Sequence, residues 1–261
     1  MKFLVLALLS VAMLWARTDD SPNCQRKYVV SVNDYAPLAY RENGKLRGLA
    51  HDIVSEISLR TRCPFMENEV SRPASIDELK RGHSDIVALV PKTPEFEANG
   101  TFIPVYKSSR VLLVSKSVWA ANKKISDYVN DDKIKFVHMI GAKLSVIGVD
   151  ENKMVVGGRL IGTPQPEGSF RLFQQGRVQA GFFTALVADY YVKKFKLEDK
   201  VVQISDEGLP TEVGFYTSKR RMLSDDDRKL RETIEDMKKD GTLYQIFRKY
   251  MSEDEAKRRL K

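Results

Sequence analysis

The chain has 261 residues, 43% of them hydrophobic, with fifteen glycines and ten prolines. That length admits one large domain or two smaller lobes, and the composition excludes a disordered or collagen-like chain. The formal charge is +8, but basic and acidic residues are interleaved almost throughout and no basic stripe with stacking aromatics is present, so nucleic acid is not expected as a partner.

The first segment joins Lys2 to an apolar run from Phe3 to Trp15 that is short for a membrane span, the pattern of a signal peptide over residues 1–16. Cleavage is expected after Ala16. Leu14 is larger than usual at its position, which leaves an uncleaved anchor as the alternative. Ser21, Pro22 and Asn23 before Cys24 do not make a lipidation site, so no lipid anchor is expected. Export points to the periplasm, where disulfides persist. Cys24 and Cys63 each stand ahead of a strand-like run, Tyr28 to Val32 and Phe65 to Val70. If those runs are neighbouring parallel strands, the cysteines share one end of the sheet and lie within bonding range; the alternative is two buried thiols.

Between the two runs, Leu49, Ile53 and Ile57 recur at four-residue steps and predict an amphipathic helix. Ser75-Ile76-Asp77-Glu78 reads as a capping box with Gly82 as the stop, and a buried strand is expected from Asp85 to Val90. Strand, helix, strand, helix, strand is the signature of a parallel sheet with crossover helices. The unit recurs without gaps: Ser169 matches Ser75, Phe173 matches Leu79, Gly176 matches Gly82, and Val178 to Phe183 forms the next apolar strand. Two lobes on one plan are expected, with a two-strand hinge formed by an outgoing run near Val111 to Ser115 and a return near Glu212 to Tyr216. The expected division is 24–113 and 214–261 for the first lobe and 114–213 for an inserted second lobe. A last helix is predicted with Ser224 as cap, Leu230, Ile234 and Met237 facing inward, and Gly241 as stop.

Tyr35-Ala36-Pro37, the turn Gly44 to Gly48 followed by Asp52, the segment Leu79 to Ile86, Thr93-Pro94-Glu95, Phe102 to Tyr106 and Lys239 to Thr242 follow one another as in a known family. In order and spacing they resemble the type II periplasmic solute-binding proteins of the amino-acid-binding kind, bacterial extracellular solute-binding family 3. The resemblance implies an α/β fold of two lobes, each a parallel-rich sheet flanked by helices. It also implies a solute held between the lobes, and delivery to an ABC-type membrane permease.

Amino-acid binders of that family hold the ligand carboxylate with an arginine directly after Thr-Pro-Glu and its ammonium with an aspartate after the second helix–glycine–strand unit. The matching positions here are Phe96 and Thr184, so a standard α-amino acid is not the expected solute. The ligand-binding residues expected from position are Asn33, Tyr35, Val90, Lys92, Thr93, Arg110, Ala142, Lys143 and Thr184. Arg110 and Lys143 are either solvated or, if they line the cleft, selective for an anionic solute. Phe96, Phe182 and Phe183 are expected in the core.

No catalytic motif is found, and the scattered His51, His83 and His138 lack metal-ligand spacing. No cofactor and no metal are expected, and a monomer is the default. A similarity to cyclohexadienyl dehydratases in length and fold leaves an enzyme as a lesser reading, and an accessory or sensory protein that has lost amino-acid binding is the main alternative.

Overall fold

In the computed structural model, which describes residues 24–140, 150–205 and 210–261, the apolar run after Cys24 is strand β1 (Tyr28–Asn33). The hairpin of β2 (Tyr40–Glu42) and β3 (Lys45–Arg47) leads into helix α1 (Leu49–Thr61), which buries Leu49, Ile53 and Ile57 as their spacing requires. Strand β4 (Phe65–Val70), helix α2 (Arg72–Arg81) and strand β5 (Ile86–Pro91) follow. β1 lies between β4 and β5 and runs parallel to both. After the short α3 (Pro94–Glu97) comes β6 (Gly100–Ser108).

The register Tyr28 to Phe65 brings Cys24 and Cys63 to the same end of adjacent strands. They form a disulfide with Cα atoms 4.9 Å apart. Its sequence separation of 39 corresponds to about 4 kcal/mol of lost loop entropy in the unfolded chain. Reduction should therefore lower Tm by roughly 10 °C, measured by calorimetry with and without dithiothreitol.

The chain then builds a second sheet from β7 (Arg110–Ser115), β8 (Phe136–Met139), β9 (Leu160–Thr163), β10 (Ala180–Thr184) and β11 (Val201–Ser205). Helices α4 (Ile125–Val129), α5 (Glu151–Val156), α6 (Pro166–Gln174) and α7 (Ala185–Lys194) flank it. Strand β12 (Thr211–Ser218) returns to the first sheet, followed by α8 (Ser224–Lys239), α9 (Thr242–Arg248) and α10 (Glu253–Leu260). The strand orders are β4-β1-β5-β12-β6 and, in the same sense, β9-β8-β10-β7-β11. In each sheet the first three strands are parallel and the last two joined antiparallel. The two lobes are thus one plan used twice, as the gap-free repeat indicates. β5 and β10 begin at matched positions, and the stops Gly82 and Gly176 both take positive φ, 75° and 69°.

The expected caps need correction. α2 begins before Ser75, at Arg72, because Pro73 suits a first turn and the Ser71 Oγ accepts the Ala74 amide at 3.4 Å. Ser75 lies inside the helix and its hydroxyl donates to the Arg72 carbonyl at 2.7 Å. In the repeat, Pro166 opens α6, and Ser169 is buried 2.6 Å from the Thr163 hydroxyl. Ser224 is the first helical residue of α8, after Leu223, while Leu230, Ile234 and Met237 are buried as expected.

The chain leaves the first sheet between Ser108 and Arg110 and returns between Ser205 and Thr211. Thr211 pairs with Ser108 and Ser205 with Val111, so the described ends of the two connections lie side by side. The expected divisions at 113/114 and 213/214 cut through β7 and β12. β7 belongs wholly to the second sheet and β12 to the first.

Candidate ligand cleft

In open sheets of this kind ligands favour the crevice beyond the carboxyl ends of the strands. Here the loop after β1 meets the helix after β10. Ala36 is buried in the second lobe's core cluster, Leu186 of α7 in the first lobe's, and Tyr35 packs against both. The rings of Tyr40 and Tyr190 stand 6.2 Å apart, and the Tyr191 hydroxyl meets the Ala36 backbone. The carboxyl ends of the two sheets therefore face one another across a seam of tyrosines and small aliphatic side chains. Burial raises the pKa of Tyr35, Tyr40, Tyr190 and Tyr191, so these hydroxyls stay protonated at neutral pH and offer donors and acceptors without charge.

Asn33 is the last residue of β1 and is 2% exposed. Neither its Oδ1 nor its Nδ2 has a hydrogen-bond partner among the described residues. An unsatisfied buried amide costs about 1–3 kcal/mol per group, which makes Asn33 a polar side chain that would gain from a ligand. Tyr35, two residues on, is partly buried at the seam, and its hydroxyl feels the charge of Arg72 at the start of α2. Arg72 carries no motif and was not among the expected residues; its place follows only from the fold.

The remaining expected residues lie in different places. Val90 faces the interior with Leu79, Phe96 and Tyr216, because Leu89 takes φ 50° and the β5–β12 register shifts beside it; it is a core residue. Lys92 is exposed, 3.6 Å from the Glu212 carboxylate and 3.9 Å from that of Glu97, with its amine over the Phe102 ring; it belongs to the surface. The Thr93 amide donates to the Tyr216 hydroxyl at 3.1 Å. Thr184 closes β10 and caps the start of α7 without a side-chain bond to it. It pairs with Arg110, the first residue after the crossing, which is half-buried. These two stay together at the second lobe's side of the seam. Ala142 and Lys143 lie outside the described residues.

Phe96, in the position after Thr-Pro-Glu, is fully buried and stacked on Tyr216 with ring centroids 5.1 Å apart. Phe182 and Phe183 are also core residues, each 4% exposed. An apolar ring locked in this way has no means of gripping a carboxylate.

The sequence pattern of the bacterial extracellular solute-binding proteins, family 3, matches residues 28–253. The chain belongs to that family. Family 3 relatives include the L-cystine-binding protein TcyA of Bacillus subtilis (strain 168), 23% identical over 253 residues that cover 94% of this chain and 87% of its own length. Among solved structures, a histidine kinase sensor domain with similarity to periplasmic binding proteins superposes with a TM-score of 0.73 at 16% identity, covering 87% of this chain and 96% of that one. An ancestral arginine-binding protein bound to glutamine gives 0.69 at 23% identity, with 86% and 97% covered. At these identities the structures bear on the fold, which is that of the type II periplasmic binding proteins, and the family membership brings a solute-binding role.

Proposed function

We propose that the protein is an extracytoplasmic receptor that closes on a small polar or anionic solute other than a standard α-amino acid and hands it to an ABC-type permease. The observation that carries the reading is the buried, unpartnered Asn33 amide at the carboxyl end of β1, two residues before a partly buried tyrosine whose hydroxyl feels the Arg72 charge. Asn33 offers an NH₂ donor group and a carbonyl acceptor from the first lobe, Arg72 favours an anion, and Arg110 with Thr184 would meet the solute from the second. A ligand touching both lobes favours closure by its differential affinity for the closed state. The amino-acid pattern is disfavoured because Phe96 and Thr184 stand where that pattern places the arginine for the carboxylate and the aspartate for the ammonium.

The first test is native mass spectrometry of the protein purified from its compartment, against the same sample denatured. A mass lost on denaturation supports the receptor and identifies the solute class. Tight binding of any standard amino acid in calorimetry would overturn the proposed ligand class. The role of Asn33 is tested by Asn33→Leu, which should raise the Tm of the solute-free protein, since it removes buried unsatisfied groups at nearly constant volume. The same change should weaken the retained solute roughly tenfold, the worth of one or two hydrogen bonds. A fall in Tm would mark Asn33 as structural.

A sensory reading is favoured by one observation, the packing of Tyr35 and Ala36 directly against α7, and by the similarity to the kinase sensor domain. It predicts a protein partner that stays bound when no small molecule is present.

A further inference from the structure

The second lobe carries a hollow at the pole opposite the seam. It is an open pocket of about 780 Å³, a size that suits a small molecule. Val118 after β7, Lys133 and Lys135 before β8, and Arg177 and Gln179 before β10 line it. The carboxyl ends of β8 and β10, which face the first lobe, lie about 13 Å away along the five residues of β10. The hollow is therefore separate from the candidate cleft and belongs to one lobe alone.

Each cation at its edge stands on a fastened stretch of backbone. The Asp131 side chain accepts the Lys133 amide at 3.1 Å and the Asp131 carbonyl the Ile134 amide at 3.0 Å, a tight turn that places Lys133. Gln179 accepts the Lys135 amide through Oε1 at 3.0 Å, donates its own amide to the Lys135 carbonyl at 2.9 Å, and reaches the Gly176 carbonyl with Nε2 at 3.4 Å. One glutamine thus joins the segment of Lys135 to that of Arg177. Arg177 follows the positive-φ stop of α6 and its amide donates to the Leu172 carbonyl at 2.9 Å.

The charges around the hollow do not balance. The nearby carboxylates are engaged: Asp127 accepts the Lys124 amide at 2.7 Å, Asp132 pairs with Arg159 at 3.3 Å, and Asp131 with Lys123 at 3.7 Å. Lys133, Lys135 and Arg177 are exposed, and among the described residues no carboxylate stands within ion-pair distance of any of them. Like charges gathered at one place repel and add nothing to folding. A multivalent anion among them turns that repulsion into attraction, with lysines as point charges and the arginine as a fork for two oxygens.

We propose that this hollow is a second binding site, for a small multivalent anion that carries phosphate groups or clustered carboxylates. Since its lining comes from one lobe, it takes its ligand whether the lobes are apart or together, and it does not compete with a solute in the cleft. The proposal goes beyond the receptor reading and does not depend on it.

The test is isothermal titration of the purified protein at low ionic strength with inorganic tripolyphosphate and with citrate, and with acetate as the monovalent reference. At least one multivalent anion should bind with Kd below about 1 mM, while acetate gives no saturable heat; the tighter of the two identifies the ligand's chemistry. Lys133→Gln and Arg177→Gln should each weaken that binding about two- to fivefold, and the double variant by about the product. Lys80→Gln, at an exposed position of α2 in the first lobe, should change it less than about twofold. Equal weakening by Lys80→Gln would show that the anion reads only the net charge of +8 and would overturn the site, as would the lack of saturable binding by both multivalent anions. A hexaglutamate peptide that binds where neither small anion does would also overturn it, and would make the hollow a face for an acidic protein.

Discussion

Asp85→Asn should lower stability at neutral pH by about 3 kcal/mol or more, because it removes one partner from a buried charge cluster. The Asp85 side chain is completely buried. Its Oδ1 accepts from Arg26 Nη2 at 2.6 Å and Arg221 Nε at 2.8 Å, and its Oδ2 from the Val29 amide at 2.8 Å and Arg26 Nη1 at 3.2 Å. The carboxylate thus ties the segment before β1, the start of β5 and the turn after β12. Burial alone would raise its pKa; the hydrogen bonds from Arg26, Arg221 and Val29 outweigh that and hold it below the ordinary carboxylate range. A depressed folded-state pKa contributes stability that is present above the unfolded value near 4 and is lost as pH falls through the folded one. The thermal unfolding curves of the wild type and Asp85→Asn should therefore lie roughly 10 °C apart at pH 7 and converge below about pH 4. A gap that persists at low pH would locate the effect in packing and exclude the charge.

Gly214→Ala should be at least as damaging, for a steric reason. Gly214 sits in β12 between β5 and β6, where the pairing with β6 shifts register after Val213. A Cβ there would lie 1.9 Å from the Ile103 carbonyl oxygen and 2.8 Å from its carbon, and both belong to backbone held in the sheet. Only backbone displacement relieves such a clash, so a loss above about 4 kcal/mol is expected, seen as a lower urea midpoint at unchanged slope. Gly158→Ala is the control. Its φ of 65° is unfavourable for alanine but nothing lies within 4 Å, and the loss should stay near 1–2 kcal/mol. Equal losses at the two sites would refute the argument from close approach.

Much of this architecture was legible in the residues. The stripe Leu49, Ile53 and Ile57 and the gap-free repeat from Ser75 to Gly82 and Ser169 to Gly176 pointed to the helices and the two-lobe plan, because periodicity and spacing are local, whereas the disulfide was one of two alternatives until β1 and β4 were seen to be neighbours. The caps were misplaced because Ser71 and Ser75 present the same polar signal one turn apart, and the choice rests on Pro73. The crossings were misplaced because β7 is apolar on both faces, and a buried strand of the second sheet reads like a buried strand of the first. The positions of Asn33 and Thr184 at strand ends, and of Tyr35 just beyond one, were readable in the sequence. The burial of Val90 follows from the positive φ of Leu89, and the seam contacts of Tyr40 with Tyr190 and of Ala36 with Tyr191 join segments far apart in the chain. Neither leaves a mark in a linear pattern.

The place of β12 in the first sheet also bears on how the chain folds as it emerges. The second lobe is one continuous stretch, so every strand of its sheet is at hand once β11 has appeared. In the first lobe the strand that fills the gap between β5 and β6 comes after the whole of the second. A chain that emerges from its amino end must hold β5 and β6 with open, hydrogen-bonding edges while the whole second lobe is made between β6 and β12. The inserted lobe is free to finish early, and completion of the first lobe's sheet waits on β12.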